Sequence, residues 1–271
     1  MKTLTIGDIH GRNSWMELTH GSLNNFREWK FNVEHGQRVD SPYFNHHPYM
    51  QYDKIVFVGD YMDSFDVSNT DMKLNFLDIV FFKQQLKDRV VLLWGNHDIQ
   101  YIIDGQQCSG FRPEILYDIR ALLRHYHDLF TMAYEETDSA GQRYLWTHAG
   151  VTSGWMEKLD EALFGPKPSR FRDLLLERNP QTAAEKINVA WEFNLPELYM
   201  VDSDSGGYDR WAGPLWVRPK KLNNFPLPDY NQIVGHTQRK KITKTAVHNE
   251  KIHYYVDVFD TMVDGLEIAW E

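Results

Sequence analysis

The stretch KIVFVGDYMDSFD, residues 54–66, passes from apolar to acidic within two positions. The run before Gly59 is rich in Ile, Val and Phe and too short for a helix, so it predicts a strand buried on both faces. Gly59 lets the chain turn sharply. Asp60, Asp63 and Asp66 then follow within seven positions. Carboxylates this dense repel one another unless a cation lies among them.

Four more stretches share the design: KTLTIGD (2–8), RVVLLWGN (89–96), RYLWTHAG (143–150) and NQIVGHT (231–237). Helical patterns separate them. We read helices over 13–30, 70–87 and 113–129, and two short ones in 168–193 broken at Asn179–Pro180. The runs KIHYYVDVF (251–259) and LEIAWE (266–271) read as a C-terminal hairpin. Alternating strands and helices make the class α/β. Residues 31–52 fit neither period and read as a long inserted loop. Residues 201–230 are similar. No domain boundary is visible, so one domain over 1–271 is expected.

Composition narrows the functions. With 271 residues, 42% hydrophobic and 25% charged, the chain has ordinary globular usage. Its net charge of −9 excludes bulk attraction of nucleic acid, so an anionic substrate needs a local positive centre such as a metal. The lone Cys108 permits no disulfide within the chain and fits a reducing compartment. The N-terminus has no signal-peptide pattern, and no window approaches 18 apolar residues. We expect a cytoplasmic location and no membrane partner.

Each apolar run ends in glycine or small polar residues beside Asp, Asn or His. These are Asp8 and His10, Asp60, Asn96 and His97, His148, and His236. In open α/β sheets, ligands gather outside the carboxyl ends of the strands, where these loops would meet. Carboxylate, imidazole and amide oxygen are the divalent-metal donor set. About six ligands exceed the need of one tetrahedral ion, so two ions sharing a carboxylate are expected. Any single fragment is a common turn or cap. The order and strand context of all five carry the reading.

The series GDxHG, GDxxD, GNHD, HAG, GH resembles the calcineurin-like metallophosphoesterases, nearest the branch of the phosphoprotein phosphatases and the bacterial symmetrical diadenosine tetraphosphatases. The resemblance implies a four-layer αββα sandwich of two mixed sheets. It implies Asp8 and His10 on a first metal, Asp60 bridging, and Asn96, His148 and His236 on a second. Gln238 stands where many relatives carry another metal histidine. His97, oriented by Asp63, would be the general acid. Arg218, in PLWVRP (214–219), is similar to a phosphate-gripping arginine, and Arg12 is a second substrate-binding candidate. The implied cofactors are two divalent ions, manganese foremost, with Fe, Zn, Ni or Co as alternatives.

The implied activity is metal-dependent phosphoester hydrolysis by in-line attack of a metal-bound hydroxide. Substrates would be a phosphorylated small molecule or phosphoprotein, as monoesters. The alternative is a nucleotide phosphodiesterase or dinucleoside polyphosphate hydrolase, and a non-catalytic metal-stabilised binding module is the alternative of another class. Ser64 stands where phosphoprotein phosphatases place a phosphate-binding arginine, which weakens that reading. His46 and His47 are expected as exposed loop residues and Cys108 as structural. His20 and His253 carry no assigned role. QRKKITK (238–244) is expected as a solvated strand edge.

Overall fold

The computed structural model describes residues 1–165, 175, 177–259 and 261–269. The chain forms two compact units, each with a five-stranded mixed sheet. Unit 1 comprises Met1–Phe130, Gln238–Ile242 and Val256–Glu271, and unit 2 comprises Thr131–Thr237 and Thr243–Tyr255.

The sheet of unit 1 is built on β1 (Lys2–Ile6), β2 (Lys54–Phe57) and β3 (Val90–Leu93), three of the five apolar runs. They pair in parallel, Thr3 with Lys54 and Ile55 with Val90 in register, so their carboxyl ends lie side by side. Helices α1 (Trp15–His20), α2 (Leu23–Glu34) and α3 (Asn69–Leu86) connect them. One helix was expected over 13–30. Gly21, at φ 81°, ends α1 and Ser22 caps α2, accepting from Asn25 N. Met72, Asn75, Phe76, Ile79, Phe82 and Leu86 give α3 one buried stripe. Further on lie α4 (Asn96–Ile102), α5 (Leu116–His125) and β4 (Phe130–Thr131).

The sheet of unit 2 runs β5 (Ala133–Thr137), β6 (Arg143–Thr147), β7 (Tyr230–Val234), β9 (Ile252–Tyr255), β8 (Thr243–Ala246). Its helices are α6 (Ser153–Phe164), α7 (Ala183–Glu192) and α8 (Pro219–Asn224). Helix α7 matches the second helix expected in 168–193. Most of the first lies outside the described residues. The expected C-terminal hairpin does not form. Strand β9 pairs with β7 and β8, whereas β10 (Leu266–Ala269) pairs antiparallel with β1 in the other sheet. No helix among the described residues is long and apolar enough to cross a membrane.

The segment 31–52 begins inside α2 and continues as two short 3₁₀ turns, Pro42–Phe44 and Pro48–Gln51. Its second half is partly packed. Phe44, His47 and Tyr49 are buried, which corrects the expectation of an exposed His47; His46 is exposed. The reason is an aromatic box. His20 is fully buried within about 5 Å, centroid to centroid, of Phe26, Trp29, His47 and Tyr49. Thr19 Oγ1 donates to the Trp15 carbonyl and lies 2.8 Å from His20 Nδ1.

Burial, and then the neighbouring His47, holds the His20 pKa well below its ordinary value. Unfolded histidine takes up a proton near pH 6.5, whereas folded His20 resists it. Stability is therefore complete above about pH 6.5 and falls as acid protonates the unfolded chain. His20→Gln is expected to make this fall shallower by up to about 1.4 kcal/mol per pH unit between pH 6.5 and 5. Urea midpoints followed by tryptophan fluorescence measure it.

Candidate metal and catalytic site

The loops leaving β1, β2 and β3 hold the unit 1 residues singled out by sequence. Backbone bonds splice the first two loops together. Ile9 N and His10 N both donate to the Asp60 carbonyl, and Gly11 N donates to that of Tyr61. Asp98 splices the second to the third. Its fully buried carboxylate accepts from Tyr61 N, Met62 N and Gly95 N at 2.9–3.1 Å. The loops approach so closely that Gly95 admits no side chain. A Cβ there would lie 2.1 Å from Asp60 Oδ1.

The result is a dense buried cluster. Asp8, Asp60 and Asn96 are each 2–3% exposed, and ligand oxygens of Asp8 and Asp60 lie within 4.8 Å. His10 Nε2 is 3.7 Å from Asp60 Oδ2, while Asp60 Oδ1 accepts from His97 N at 2.9 Å.

Asp63 orients two histidines by different groups. Its carbonyl is 2.8 Å from His10 Nδ1, leaving His10 Nε2 on the side of Asp60. Its carboxylate accepts from His97 Nδ1 at 3.0 Å. The two imidazoles stand edge to face with centroids 5.1 Å apart. Burial lowers the His97 pKa, but Asp60's charge and the bond to Asp63 outweigh it and leave it raised to about 9.

Sequence reading missed the other partners of Asp63. Gln100 Nε2 and Tyr101 OH also donate to its carboxylate. Both sit on α4, three and four residues after His97, and therefore on one helical face, the signal that would have found them. Cys108 was assigned a structural role, and it lies against a site residue. Asn96 Nδ2 donates to its sulfur at 3.1 Å. Burial raises the thiol pKa to about 12, so it remains neutral.

The donor set fits divalent ions. Asn96 spends its amide nitrogen on Cys108, and its Oδ1 is the kind of atom a hard cation takes. Two buried carboxylate side chains, an amide oxygen and an imidazole nitrogen make an oxygen-rich, thiolate-free group.

Unit 2 presents its own pair. The His148 and His236 rings lie 5.1 Å apart, and His148 is fully buried. Gly235 N donates to the His148 carbonyl, and Gln232 bonds both the N–H and the C=O of Val151. Gly150, at φ 105°, lies where a Cβ would meet Leu222 at 2.6 Å. Arg218 Nη1 donates to the His236 carbonyl and approaches Thr237 Oγ1, both at 3.3 Å. Arg12, the other substrate-binding candidate, donates to Asp66 Oδ1 at 2.9 Å. Ser64 Oγ donates to the same atom at 2.6 Å.

Four site residues, His10, Asp60, Asp63 and His236, adopt left-handed φ of 45–64° although none is glycine. Such conformations persist only where the surroundings enforce them, and they cluster at functional sites.

The sequence profile of the calcineurin-like phosphoesterases matches residues 1–240. The chain belongs to this family, whose members are dinuclear metal-dependent enzymes, and is a phosphoester hydrolase with its α/β fold of two mixed sheets. Solved structures similar to it include a cold-active protein tyrosine phosphatase of a psychrophilic Shewanella (18% identity, 97% of this chain and 71% of that one, TM-score 0.45). Another is a Saccharomyces cerevisiae protein serine/threonine phosphatase similar to human PP5 (15%, 94% and 67%, TM-score 0.38). A third is the phosphatase domain of the Legionella effector WipB (12%, 74% and 84%, TM-score 0.39). No curated protein sequence matches this chain.

Asp98→Asn turns an amide N–H toward the Gly95 N–H, which loses its acceptor. The expected loss is about 1–3 kcal/mol of stability, read as a lower urea midpoint at unchanged m, together with weaker metal binding by calorimetry.

Proposed function

We propose that this chain hydrolyses phosphomonoesters of a small molecule or phosphoprotein with two divalent ions, manganese foremost. In this reading Asp8, His10, Asp60 and Asn96 would hold metal, and His148 and His236 would be the further ligands that the family resemblance implies. When bound, such a pair acidifies a water and neutralises charge on the phosphoryl oxygens. Asp60, anchored between the loops, would be the shared carboxylate.

The observation that carries the proposal is the double use of Asp63, which orients the metal-ligand candidate His10 and the acid candidate His97 from one residue. A binding module has no use for an oriented acid beside its metal. His97 would protonate the leaving oxygen as the ester bond to phosphorus breaks, and a general acid is worth roughly 10²–10⁴-fold. Of the two arginine candidates this reading favours Arg218 as the phosphate contact, because Arg12 is drawn to Asp66.

The diester alternative keeps one observation in its favour. The Ser64 hydroxyl is committed to Asp66 and to Val67 N, so position 64 itself offers no cation to grip a dianionic phosphate. A diester carries one negative charge and depends less on such a grip.

Chelation is expected to abolish turnover of p-nitrophenyl phosphate and manganese to restore it. Full activity in rigorously metal-free protein would refute the proposal. Ser64→Arg adds one charge-assisted contact, worth about 1.5–3 kcal/mol at most. It is expected to raise kcat/KM for an aryl monoester roughly tenfold or more relative to the matching diester. An unmoved ratio would show that position 64 does not read the phosphate.

A further inference from the structure

Asp63 must present one carboxylate geometry to His97, and a single hydrogen bond would leave it free to rotate. The structure removes that freedom with residues outside the metal-ligand set. Gln100 Nε2 donates to Oδ2, the oxygen that also receives His97 Nδ1. Tyr101 OH donates to Oδ1. All three partners come from α4, and Asp63, Gln100 and Tyr101 are each no more than 3% exposed.

A strap over residues 104–112 holds these donors in turn. Cys108 N donates to Gln100 Oε1 at 2.7 Å, so the amide can aim only its nitrogen at Asp63. Arg112 N donates to Tyr101 OH at 3.1 Å, so the hydroxyl must send its own proton to Asp63. The Arg112 guanidinium bonds the carbonyls of Ser64 and Val67 and the side chain of Asn69, fixing the far side of the Asp63 loop. At the strap's beginning, the Asp104 carboxylate accepts from Arg120 Nη2 at 2.6 Å, and Arg120 Nε donates to the Tyr101 carbonyl.

We infer that Gln100 and Tyr101 are positioning residues for proton transfer: through Asp63 they fix the His97 ring so that Nδ1–H stays bound and Nε2–H faces the leaving oxygen. The inference rests on the proposed role of His97 and extends it. As the P–O bond to the leaving group breaks, the Nε2 proton passes to that oxygen, and the Nδ1 proton remains with Asp63. If the carboxylate could turn, the ring would turn with it, and a misplaced donor forfeits rate without loss of binding. Supporting partners of this kind typically cost 10–100-fold when removed from metal sites.

Tyr101→Phe deletes one oxygen and keeps the ring, and Gln100→Leu removes the amide. Both are tested in manganese-loaded protein with equal metal content. Tyr101→Phe is expected to lower kcat for an alkyl phosphate about tenfold, to change kcat for p-nitrophenyl phosphate less than twofold, and to leave both KM values in place. The nitrophenolate departs without a proton, whereas the alkoxide needs one. Equal losses on both substrates, or none on the alkyl ester, would overturn the inference.

A second measurement does not depend on turnover. In ¹⁵N-histidine-labelled, zinc-loaded protein, His97 Nδ1–H is expected as a downfield, slowly exchanging proton resonance. It should broaden or exchange faster in Tyr101→Phe and vanish in the double variant. A resonance unchanged in both would refute the positioning role even if the wild type proved inactive. A resonance lost as expected in a wild type without turnover would instead refute the proposed hydrolase.

Discussion

The carboxylate of Asp98 accepts three backbone N–H groups from two loops, and the unit 1 site depends on that junction. Metal ligands must be held before the metal arrives, because carboxylates packed together repel. Asp98 meets this need with main-chain dipoles, which fix Tyr61 and Met62 in the loop of Asp60 and Gly95 at the start of α4. Gly95 then lets the Asp60 side chain pass where any Cβ would collide. Precision in this site is a backbone property first, and side-chain chemistry is laid on top.

A second level of order follows from Asp63. Through its carbonyl and its carboxylate it couples the aim of His10 to that of His97. The proposed metal ligand and the proposed acid therefore share one support. Damage to that support would reach both proposed roles, whereas the Ser64 hydroxyl is turned to Asp66 and bonds neither histidine.

Local sequence disclosed the parts of the fold that local physics decides. The apolar runs ending in glycine became β1, β2, β3, β6 and β7, and the polar residues chosen as candidates lie at their carboxyl ends. The break in 13–30 was also local, since Gly21 followed by Ser22 is a stop and a start. What escaped was non-local. Nothing near Leu266–Ala269 says that it will pair with Lys2–Thr5, at the other end of the chain. His47 reads as a loop histidine until Phe44 and Tyr49 of its own segment and His20 of α1 enclose it. Gln100 and Tyr101 fell between these cases: their helical spacing from His97 was legible, but their acceptor, 37 and 38 residues away, was not.

The left-handed backbone at His10, Asp60, Asp63 and His236 bears on how this protein can be altered. Strain at such positions costs roughly 1–3 kcal/mol each. Glycine would relieve it at every one and would delete the functional group in the same step. Directed evolution for heat tolerance alone would thus find some of its easiest gains in the residues proposed to carry the activity. A library designed for robustness has to hold these four positions constant and look for improvement elsewhere, because here the fold's local optimum and the catalyst's are different sequences.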